Sequence, residues 1–308
     1  MSQNAKNWVR LLFLALVWGS SFILIKRGLF YDGEEVFNFY QIGASRMVFA
    51  GLVLLPFSLK GIKTLNKVSN IFYLSIVGFC GNFIPAFMFA FAEGSISSGL
   101  AGMLNSSTPI FTIILGLFLF KQKLIKIQVL GIALGTIGVI LLVVSSSGIY
   151  ISGSIYAILA AIFATLCYAI SLNVIKFKLA HLSPLIITSL GFLMTLPLGL
   201  FIFFFQETPT VLVENEFGYY GMAHILILGV VGTALAVIVF TRLIADSSPV
   251  FASSVTYFIP IVAVFIGFFD GENLSVLQVL SLFIVLAGVY IINYSSRRRN
   301  RLEKIAKQ

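Results

Sequence analysis

The chain has 308 residues, of which 59% are apolar and only 10% are charged, and its mean hydropathy is +1.05. Because a soluble domain is about half apolar and a quarter charged, this composition excludes an ordinary water-soluble fold and is typical of an integral membrane protein. The net charge of +9 does not indicate nucleic-acid binding, since most basic residues lie between apolar runs or at the chain ends.

Apolar runs separated by short polar breaks follow one another along the chain, and each is near the length that a helix needs to cross about 30 Å of hydrocarbon. The runs are continuous and do not alternate with a period of two, which excludes barrel strands. The first run lacks a signal-peptide cleavage pattern and is interpreted as a retained span. The ten predicted spans are residues 8–26, 36–59, 70–92, 96–120, 127–146, 154–175, 184–205, 221–242, 248–269 and 275–294.

The charged residues divide between the two sides of this ten-span arrangement. With both termini on one side, that side holds 17 of the 20 basic residues, the exceptions being Lys26, Arg27 and Arg46. Basic residues flank the cytoplasmic ends of spans. We therefore expect a multi-pass protein of the bacterial inner membrane with both termini in the cytoplasm.

An internal repeat relates the two halves of the chain. At a shift of 150 or 151 residues, the matched pairs include Trp18 and Tyr168, Ser21 and Ser171, Gly78 and Gly229, Gly81 and Gly232, Phe89 and Phe240, and Pro109 and Pro260. Each half has five spans, and because five is odd, the second half enters the membrane from the opposite face. The predicted fold is all-α, with two inverted five-helix repeats over residues 8–146 and 154–294 and a basic cytoplasmic tail over 295–308. Such repeats are typical of secondary transporters, whose substrate site lies near the midplane.

Arg46 lies ten residues into the second predicted span. An arginine at the centre of a membrane helix costs roughly 2.5–3.5 kcal/mol on insertion scales, so its presence needs a reason. One interpretation is that Arg46 faces a wet cavity and attracts an anionic group of a substrate. The other is that it binds backbone carbonyls exposed by broken helices and braces the fold.

Two prolines occupy equivalent positions of the repeat, Pro109 in "LNSSTP" and Pro260 in "VTYFIP". Each lacks an N–H for the carbonyl four residues earlier, which predicts a pseudo-symmetric pair of helix kinks. Unwound polar backbone at the midplane is where transporters bind ligands, so the residues beside the kinks are candidates for substrate binding. They are Asn105, Thr108, Thr256 and Tyr257. The alternative is that their hydroxyls only restore the hydrogen bonds of the kinked backbone.

The first span carries an aromatic and polar group near its centre. Trp18, Ser20 and Ser21 offer a flat wall, one N–H donor and two hydroxyls, and Tyr168 repeats the aromatic wall in the other half. These four side chains form a plausible lining for a cavity that admits amphipathic organic molecules. The alternative is that all of them simply pack.

Glu93 is the acidic residue nearest to the membrane interior, at the extracellular end of the third span. Burial there would let it bind and release protons and couple transport to them, whereas exposure would make it an ordinary loop charge. We expect exposure, and hence facilitated diffusion or exchange.

The sequence shows no pattern typical of a disulfide framework, a metal site or a cofactor site. Cys80 and Cys167 lie inside apolar runs as small core residues, and neither histidine has a neighbouring metal ligand, so no metal is expected. No nucleotide-binding loop or other cofactor motif is found. One alternative function is an intramembrane enzyme, although the sequence contains no HExxH or GxSxG motif. Another is a non-transporting scaffold or receptor.

The motifs also carry a family resemblance. "WGSSF", the isolated Arg46, "LNSSTPIFTIILGLFLF" and "QVLGIALGTIGVILLV", together with "SPVFASSVTYFIPIVAVFIGFF" in the second half, resemble the EamA-type branch of the drug/metabolite transporter superfamily over about residues 8–294. The resemblance implies ten helices around a central cavity and transport of amino acids, metabolites or drugs, commonly their export. One departure is Lys121, which stands where members often have an acidic residue after the fourth span, while Glu272 occupies the equivalent position of the second half.

The predicted function is therefore a secondary transporter of small organic solutes that works by alternating access. Its expected partners are a small-molecule substrate and the lipid bilayer, without nucleic acid, and it is expected to act as a monomer or homodimer. The substrate itself is not specified by these residues.

Overall fold

A computed structural model describes residues 3–120, 126–146, 154–246 and 255–305 of the chain. These residues are almost entirely helical. The elements of the first half are α1 (Gln3–Gly19), α2 (Ser21–Leu29), β1 (Phe30–Tyr31), β2 (Glu34–Glu35), α3 (Phe39–Gly61), a 3₁₀ turn (Ile62–Asn66), α4 (Val68–Gly78), α5 (Ile84–Glu93), α6 (Ser98–Asn105), α7 (Thr108–Phe120) and α8 (Lys126–Ser146).

The second half has fewer elements among the described residues, and it adds one short helix, α11. Its elements are α9 (Ser154–Lys178), α10 (Pro184–Phe205), α11 (Thr208–Glu214), α12 (Gly218–Gly229), α13 (Ala236–Asp246), α14 (Val255–Phe269) and α15 (Val276–Ile305). Helix α15 has 30 residues and continues through most of the predicted basic tail.

Seven helices within the described residues are long and apolar enough to cross a membrane, namely Ala5–Leu29, Phe39–Asn66, Val68–Glu93, Ser98–Phe120, Ile155–Lys178, Pro184–Phe205 and Gly218–Phe240. Shorter apolar helices, Lys126–Leu142, Phe258–Phe269 and Val276–Ile291, lie where the other three spans are predicted. Residues 248–254 of the ninth predicted span lie outside the described residues. The protein is thus a mostly α-helical membrane protein.

The two halves pack through each other rather than side by side. Helix α1 contacts α13 and α14 of the second half, and α9 contacts α4, α5 and α7 of the first. Helix α3 packs along α10, and α8 packs along α15. The largest buried cluster accordingly takes side chains from both halves, such as Leu14, Leu104, Ala161 and Leu243. Any cavity at the centre is therefore lined by both repeats.

Glycines allow some of these helices to approach at backbone distance. A Cβ on Gly138 would lie 2.7 Å from the backbone nitrogen of Val285, and one on Gly288 would lie 2.5 Å from that of Gly135. Both distances are shorter than van der Waals contact, so helices α8 and α15 need glycine there.

A short hairpin, which the sequence reading did not predict, follows α2. Phe30 pairs with Glu35 and Tyr31 with Glu34 in antiparallel register. The turn between them holds Asp32 and Gly33 at φ values of 49° and 85°. Asp-Gly suits a two-residue turn that needs positive φ at both positions.

Candidate substrate site

Two membrane helices change from α- to π-helix at equivalent positions of the repeat. The π segments are Phe79–Phe83, between α4 and α5, and Val230–Leu235, between α12 and α13. Their first residues are 151 apart, which is the shift that matches this part of the two halves. A π segment leaves part of the backbone ladder irregular and is often found at functional sites.

A glycine inside each π segment lies against a serine of the other half. A Cβ on Gly81 would lie 2.5 Å from Ser171 Oγ, and a Cβ on Gly232 would lie 3.3 Å from Ser21 Oγ. Gly81 matches Gly232, and Ser171 matches Ser21, in the repeat. The same glycine–serine contact therefore occurs twice, and each half supplies the glycine of one contact and the serine of the other.

The aromatic residues follow the same pseudo-symmetry. Trp18 packs edge-on against Phe240, with ring centroids 5.2 Å apart, and Tyr168 stacks on Phe89 at 6.2 Å. The Trp18 indole N–H donates to the backbone carbonyl of Gly232 at 3.1 Å. The π segment therefore occupies this donor, and the indole N–H is not available to a ligand in this conformation.

Arg46 is half-buried on α3 and contacts the second π segment. Its Nε–H donates to Thr233 Oγ1 at 3.0 Å, and that hydroxyl in turn donates to the Leu228 carbonyl at 3.0 Å. The two terminal nitrogens of Arg46 have no hydrogen-bond or ion-pair partner within the part of the chain that the structure describes. Among the described residues the guanidinium is therefore held through Nε alone, and its other N–H groups have no partner.

Thr233 was missed by the sequence reading. The signal was available, because its repeat equivalent is Asn82, another polar residue one position after the π-segment glycine. The Asn82 side chain donates to the Val77 carbonyl at 3.5 Å, five residues earlier, just as Thr233 bonds the carbonyl five residues before it. Both side chains thus stabilise a π turn.

Most predicted hydroxyls are used by the backbone nearby. Ser20 and Ser21 donate to the Val17 carbonyl at 3.1 and 2.9 Å, and Thr108 donates to the Asn105 carbonyl at 2.8 Å. These bonds agree with the alternative in which the hydroxyls restore the kinked backbone.

Two other predicted site residues have polar side-chain atoms that no described residue bonds. The amide of Asn105 and the phenol oxygen of Tyr168, both on half-buried residues, have no hydrogen-bond partner among the described residues. Thr256 and Tyr257 lie in α14, but their side chains fall outside those described.

The two prolines do not give the predicted pair of equal kinks. In the first half, α6 ends at Asn105 and α7 begins at Thr108, so Pro109 lies in the first turn of a new helix. Pro260 instead lies inside the uninterrupted α14. The expectation of pseudo-symmetric kinks is wrong in this respect.

The local sequence explains the difference between the two helices. At the first break, Ser106 and Ser107 donate to the carbonyls of Met103 and Leu104 at 2.5 and 2.7 Å, which replaces lost ladder bonds. Phe258 stands at the position equivalent to Ser107 and has no such group.

Glu93 contradicts the expectation of exposure. Its side chain is buried, with 1% of the residue exposed. Oε2 accepts a hydrogen bond from Ser98 Oγ at 3.2 Å, while Oε1 has no partner among the described residues. The expectation failed because a position near the end of a span does not reveal which side chains are buried by elements distant in sequence.

Ser98, the partner of Glu93, also contacts Glu272 in the loop after α14. Oε1 of Glu272 accepts from the Ser98 N–H at 2.7 Å and from Lys26 Nζ at 3.0 Å, and Oε2 accepts from the Gly99 N–H at 2.9 Å. Glu272 therefore caps α6 and joins it to α2. Its counterpart in the first half, Lys121, lies outside the described residues.

Ion pairs join the halves at both ends of the first span. Next to the Glu272 cap, Arg27 pairs with Asp270, and at the other end Arg10 Nη1 contacts Asp246 Oδ2 at 2.6 Å. The Asn7 amide adds a bond to the Asp246 carbonyl at 3.1 Å. The hydrogen bond from Arg10 holds the pKa of Asp246 below its ordinary value.

Comparison with known proteins extends this picture. Residues 7–144 and again residues 155–294 match the EamA-like transporter family. An uncharacterised inner membrane transporter of Escherichia coli K12, YedA, is 24% identical over 91% of this chain and 88% of its own length. A "probable amino-acid metabolite efflux pump" of Salmonella typhimurium is 28% identical over 59% of this chain and 56% of its own length.

A crystal structure of another protein shares the fold. It covers 96% of this chain and 99% of its own chain, with a TM-score of 0.57 at 14% identity. Since the family match takes in both halves and nearly the whole chain, this protein belongs to the EamA-like transporter family of the drug/metabolite transporter superfamily and is a membrane transporter.

Proposed function

We propose that this protein is a secondary transporter that exports small organic solutes bearing an anionic group, such as a carboxylate, across the bacterial inner membrane. The observation that carries the proposal is the geometry of Arg46. Its Nε–H is anchored on Thr233, while both terminal nitrogens are free among the described residues.

The free-energy cost of placing the Arg46 charge in a membrane helix favours a ligand that compensates it. A hydroxyl is neutral and satisfies one of the five N–H donors of a guanidinium, which leaves four donors and the full charge in a membrane helix. A carboxylate can accept two parallel N–H bonds from the outer edge of such a group. Anchoring by Thr233 would orient that edge before the substrate arrives.

The aromatic and polar residues predicted to line the site favour an organic solute over a bare anion. We assign the aromatic walls to Trp18 and Tyr168, and polar contacts to Asn105 and the Tyr168 phenol. The remaining predicted residues, Ser20, Ser21, Thr108, Thr256 and Tyr257, serve in this proposal as further lining. A relative named as an amino-acid metabolite efflux pump supports both the substrate class and the direction.

Ten spans in two inverted five-helix repeats, with both termini cytoplasmic, complete the proposal. The segregation of basic residues supports this orientation. A membrane-impermeant thiol reagent applied outside should label a cysteine introduced at Glu214 but not one at Lys63. External labelling at Lys63 would contradict the orientation.

The function is tested by comparing metabolites in the medium of cells that express the protein and cells that lack it. We expect a carboxylate-bearing solute to accumulate outside expressing cells, and we expect Arg46→Gln to abolish the difference. Arg242→Gln is the matched control, because the Arg242 side chain is 68% exposed and pairs only with Asp246 among the described residues. An efflux that survives Arg46→Gln at equal expression would refute the role of Arg46. No metabolite difference at all, with tight binding of a partner protein, would favour the scaffold alternative.

A further inference from the structure

We propose that Glu93 is the proton-binding site of this transporter: it carries a proton in the conformation described, and loss of that proton releases the ion pair between Lys26 and Glu272. The inference rests on the proposed transport function and adds to it a gate that is controlled by protonation. It also removes the ground for the expectation of facilitated diffusion or exchange, which depended on Glu93 being exposed.

The surroundings of Glu93 suit a neutral acid better than an anion. The residue ends a membrane helix and is 1% exposed, with one hydroxyl donor, Ser98 Oγ, on Oε2 and no partner for Oε1 among the described residues. A buried carboxylate needs a cation or several N–H donors to offset its lost hydration. A single hydroxyl does not supply this, whereas a carboxylic acid protonated on Oε1 needs no counter-charge.

The neighbouring Glu272 shows what a charged carboxylate receives in the same place. It has the Lys26 ammonium and two backbone N–H groups at the start of α6, all between 2.7 and 3.0 Å. Ser98 contacts both acids, its N–H on Glu272 and its hydroxyl on Glu93. The two carboxyl groups therefore contact the same residue, but their surroundings favour different charge states. Such a difference distinguishes a carboxyl group that carries a proton from one that stays ionised.

The charged groups that act on Glu93 come from three different elements. The cations Lys26 from α2 and Arg46 from α3 favour the anion, and Glu272 from the loop after α14 opposes it. Neither cation bonds Glu93 among the described residues, since Lys26 pairs with Glu272 and Arg46 donates to Thr233. From α9, the titratable Tyr168 stacks on Phe89 one turn below Glu93. Lys26 is the group that can move, because its side chain is 33% exposed and holds Glu272 through one bond.

Loss of the proton from Oε1 to water on that side would place a second anion beside Lys26. The ammonium would then divide between Glu93 and Glu272, and the link between α2 and the loop after α14 would weaken. In this mechanism protonation of Glu93 keeps that end of the protein closed, and release of the proton lets it open. The proton thereby exchanges with the same side as the opened cavity.

The charge state is tested on purified protein, without knowledge of the substrate. At neutral pH we expect an infrared carbonyl band of a protonated carboxyl that disappears in Glu93→Gln and persists in Glu272→Gln. A hydrophobic carbodiimide, which reacts with protonated carboxyls in apolar surroundings, should modify Glu93 and spare Glu272. Glutamine at position 93 keeps an acceptor for Ser98, so the variant is expected to fold. Absence of the band, or its loss in Glu272→Gln instead, would overturn the proposal.

The link to opening is tested in a variant without Cys80 and Cys167. A cysteine at Ile96, a buried residue between Glu93 and α6, should react several-fold faster with an impermeant thiol reagent as the pH rises. The rate is divided by that of a cysteine at the exposed Ser95, which corrects for thiol ionisation. The pH dependence should vanish in Glu93→Gln.

The two sets of outcomes separate this inference from the proposed function. A pH-independent ratio in the parent would overturn the gating step, whatever the protein transports. A protonated Glu93 with pH-dependent opening, in a protein that moves no solute, would uphold the proton site and refute the transport proposal.

Discussion

The hydrogen bond between Arg46 and Thr233 joins the two halves and can be measured by a double-mutant cycle. Thr233→Val keeps the side-chain shape and removes the acceptor. Arg46→Lys keeps the charge and removes the Nε–H and the planar fork. The bond from Thr233 to the Leu228 carbonyl is lost in both valine variants, so its energy cancels in the cycle.

The magnitude follows from the geometry. Hydrogen bonds between membrane helices average about 0.6 kcal/mol and reach about 1.7 kcal/mol. Those with a charged partner contribute roughly 1.5–3 kcal/mol in proteins. The 3.0 Å distance is normal and the arginine is half-buried, so we expect a coupling energy of about 1.5 kcal/mol, or roughly tenfold in an equilibrium constant.

The assay is reversible unfolding in mixed detergent micelles, followed by transport of the solute identified in the medium. The control is Thr233→Ser, which keeps the hydroxyl and should leave the coupling intact. We also expect Thr233→Val to raise the transport KM, because an unanchored guanidinium is less well oriented for its ligand. Additive effects, with a coupling below about 0.5 kcal/mol, would refute the anchoring of Arg46 by Thr233.

Two further predictions concern packing and pH. A Cβ on Gly78 would lie 2.4 Å from the carbonyl oxygen of Gly191, so Gly78→Ala should destabilise the protein by about 1–3 kcal/mol in the same assay. Gly51→Ala should cost less, since its Cβ would meet the end of a flexible leucine side chain at 2.8 Å, and equal costs would contradict the difference between backbone and side-chain contacts. The hydrogen bond from Arg10 lowers the pKa of Asp246, so its stabilising effect is present above the ordinary aspartate pKa of about 4 and is lost as the pH falls through the lower folded value. Comparing the acid unfolding of the parent with that of Asp246→Asn should show a larger loss for the parent, and parallel curves would contradict this linkage.

Hydropathy was sufficient to place the seven described helices that are long and apolar enough to cross a membrane. The predicted spans 70–92 and 184–205 correspond to Val68–Glu93 and Pro184–Phe205, because the hydrocarbon thickness fixes the length of an apolar run. Repeat matching also identified pairs that the structure brings into equivalent contacts, such as Trp18 with its counterpart Tyr168. A spacing of 150 residues cannot indicate which helices touch, however, so the interlocked packing of the halves was not predictable.

The π segments and the burial of individual side chains were harder to predict from the sequence. The π segments lie inside long apolar runs, and the signals that marked them were the matched glycines Gly81 and Gly232 and the polar residues Asn82 and Thr233 that follow them. Glu93 and Glu272 share Ser98 as a hydrogen-bond partner although they lie 179 residues apart, and no local pattern of the sequence predicts such a meeting. The dipeptide Asp32-Gly33 is typical of a two-residue hairpin turn, so the hairpin was predictable from the sequence.

The asymmetry of Arg46 has a consequence for the resting state of the transporter. At a shift of 150 residues, Leu196 stands where Arg46 does. Under the proposed inverted arrangement, two identical repeats would exchange roles between the inward-open and outward-open conformations, and both would be equally populated. A bond of about 1.5 kcal/mol that forms in only one of them shifts this balance roughly tenfold. Thr233→Val would remove this preference, so the hydrogen bond that orients the guanidinium for its ligand would also decide in which conformation the empty carrier waits.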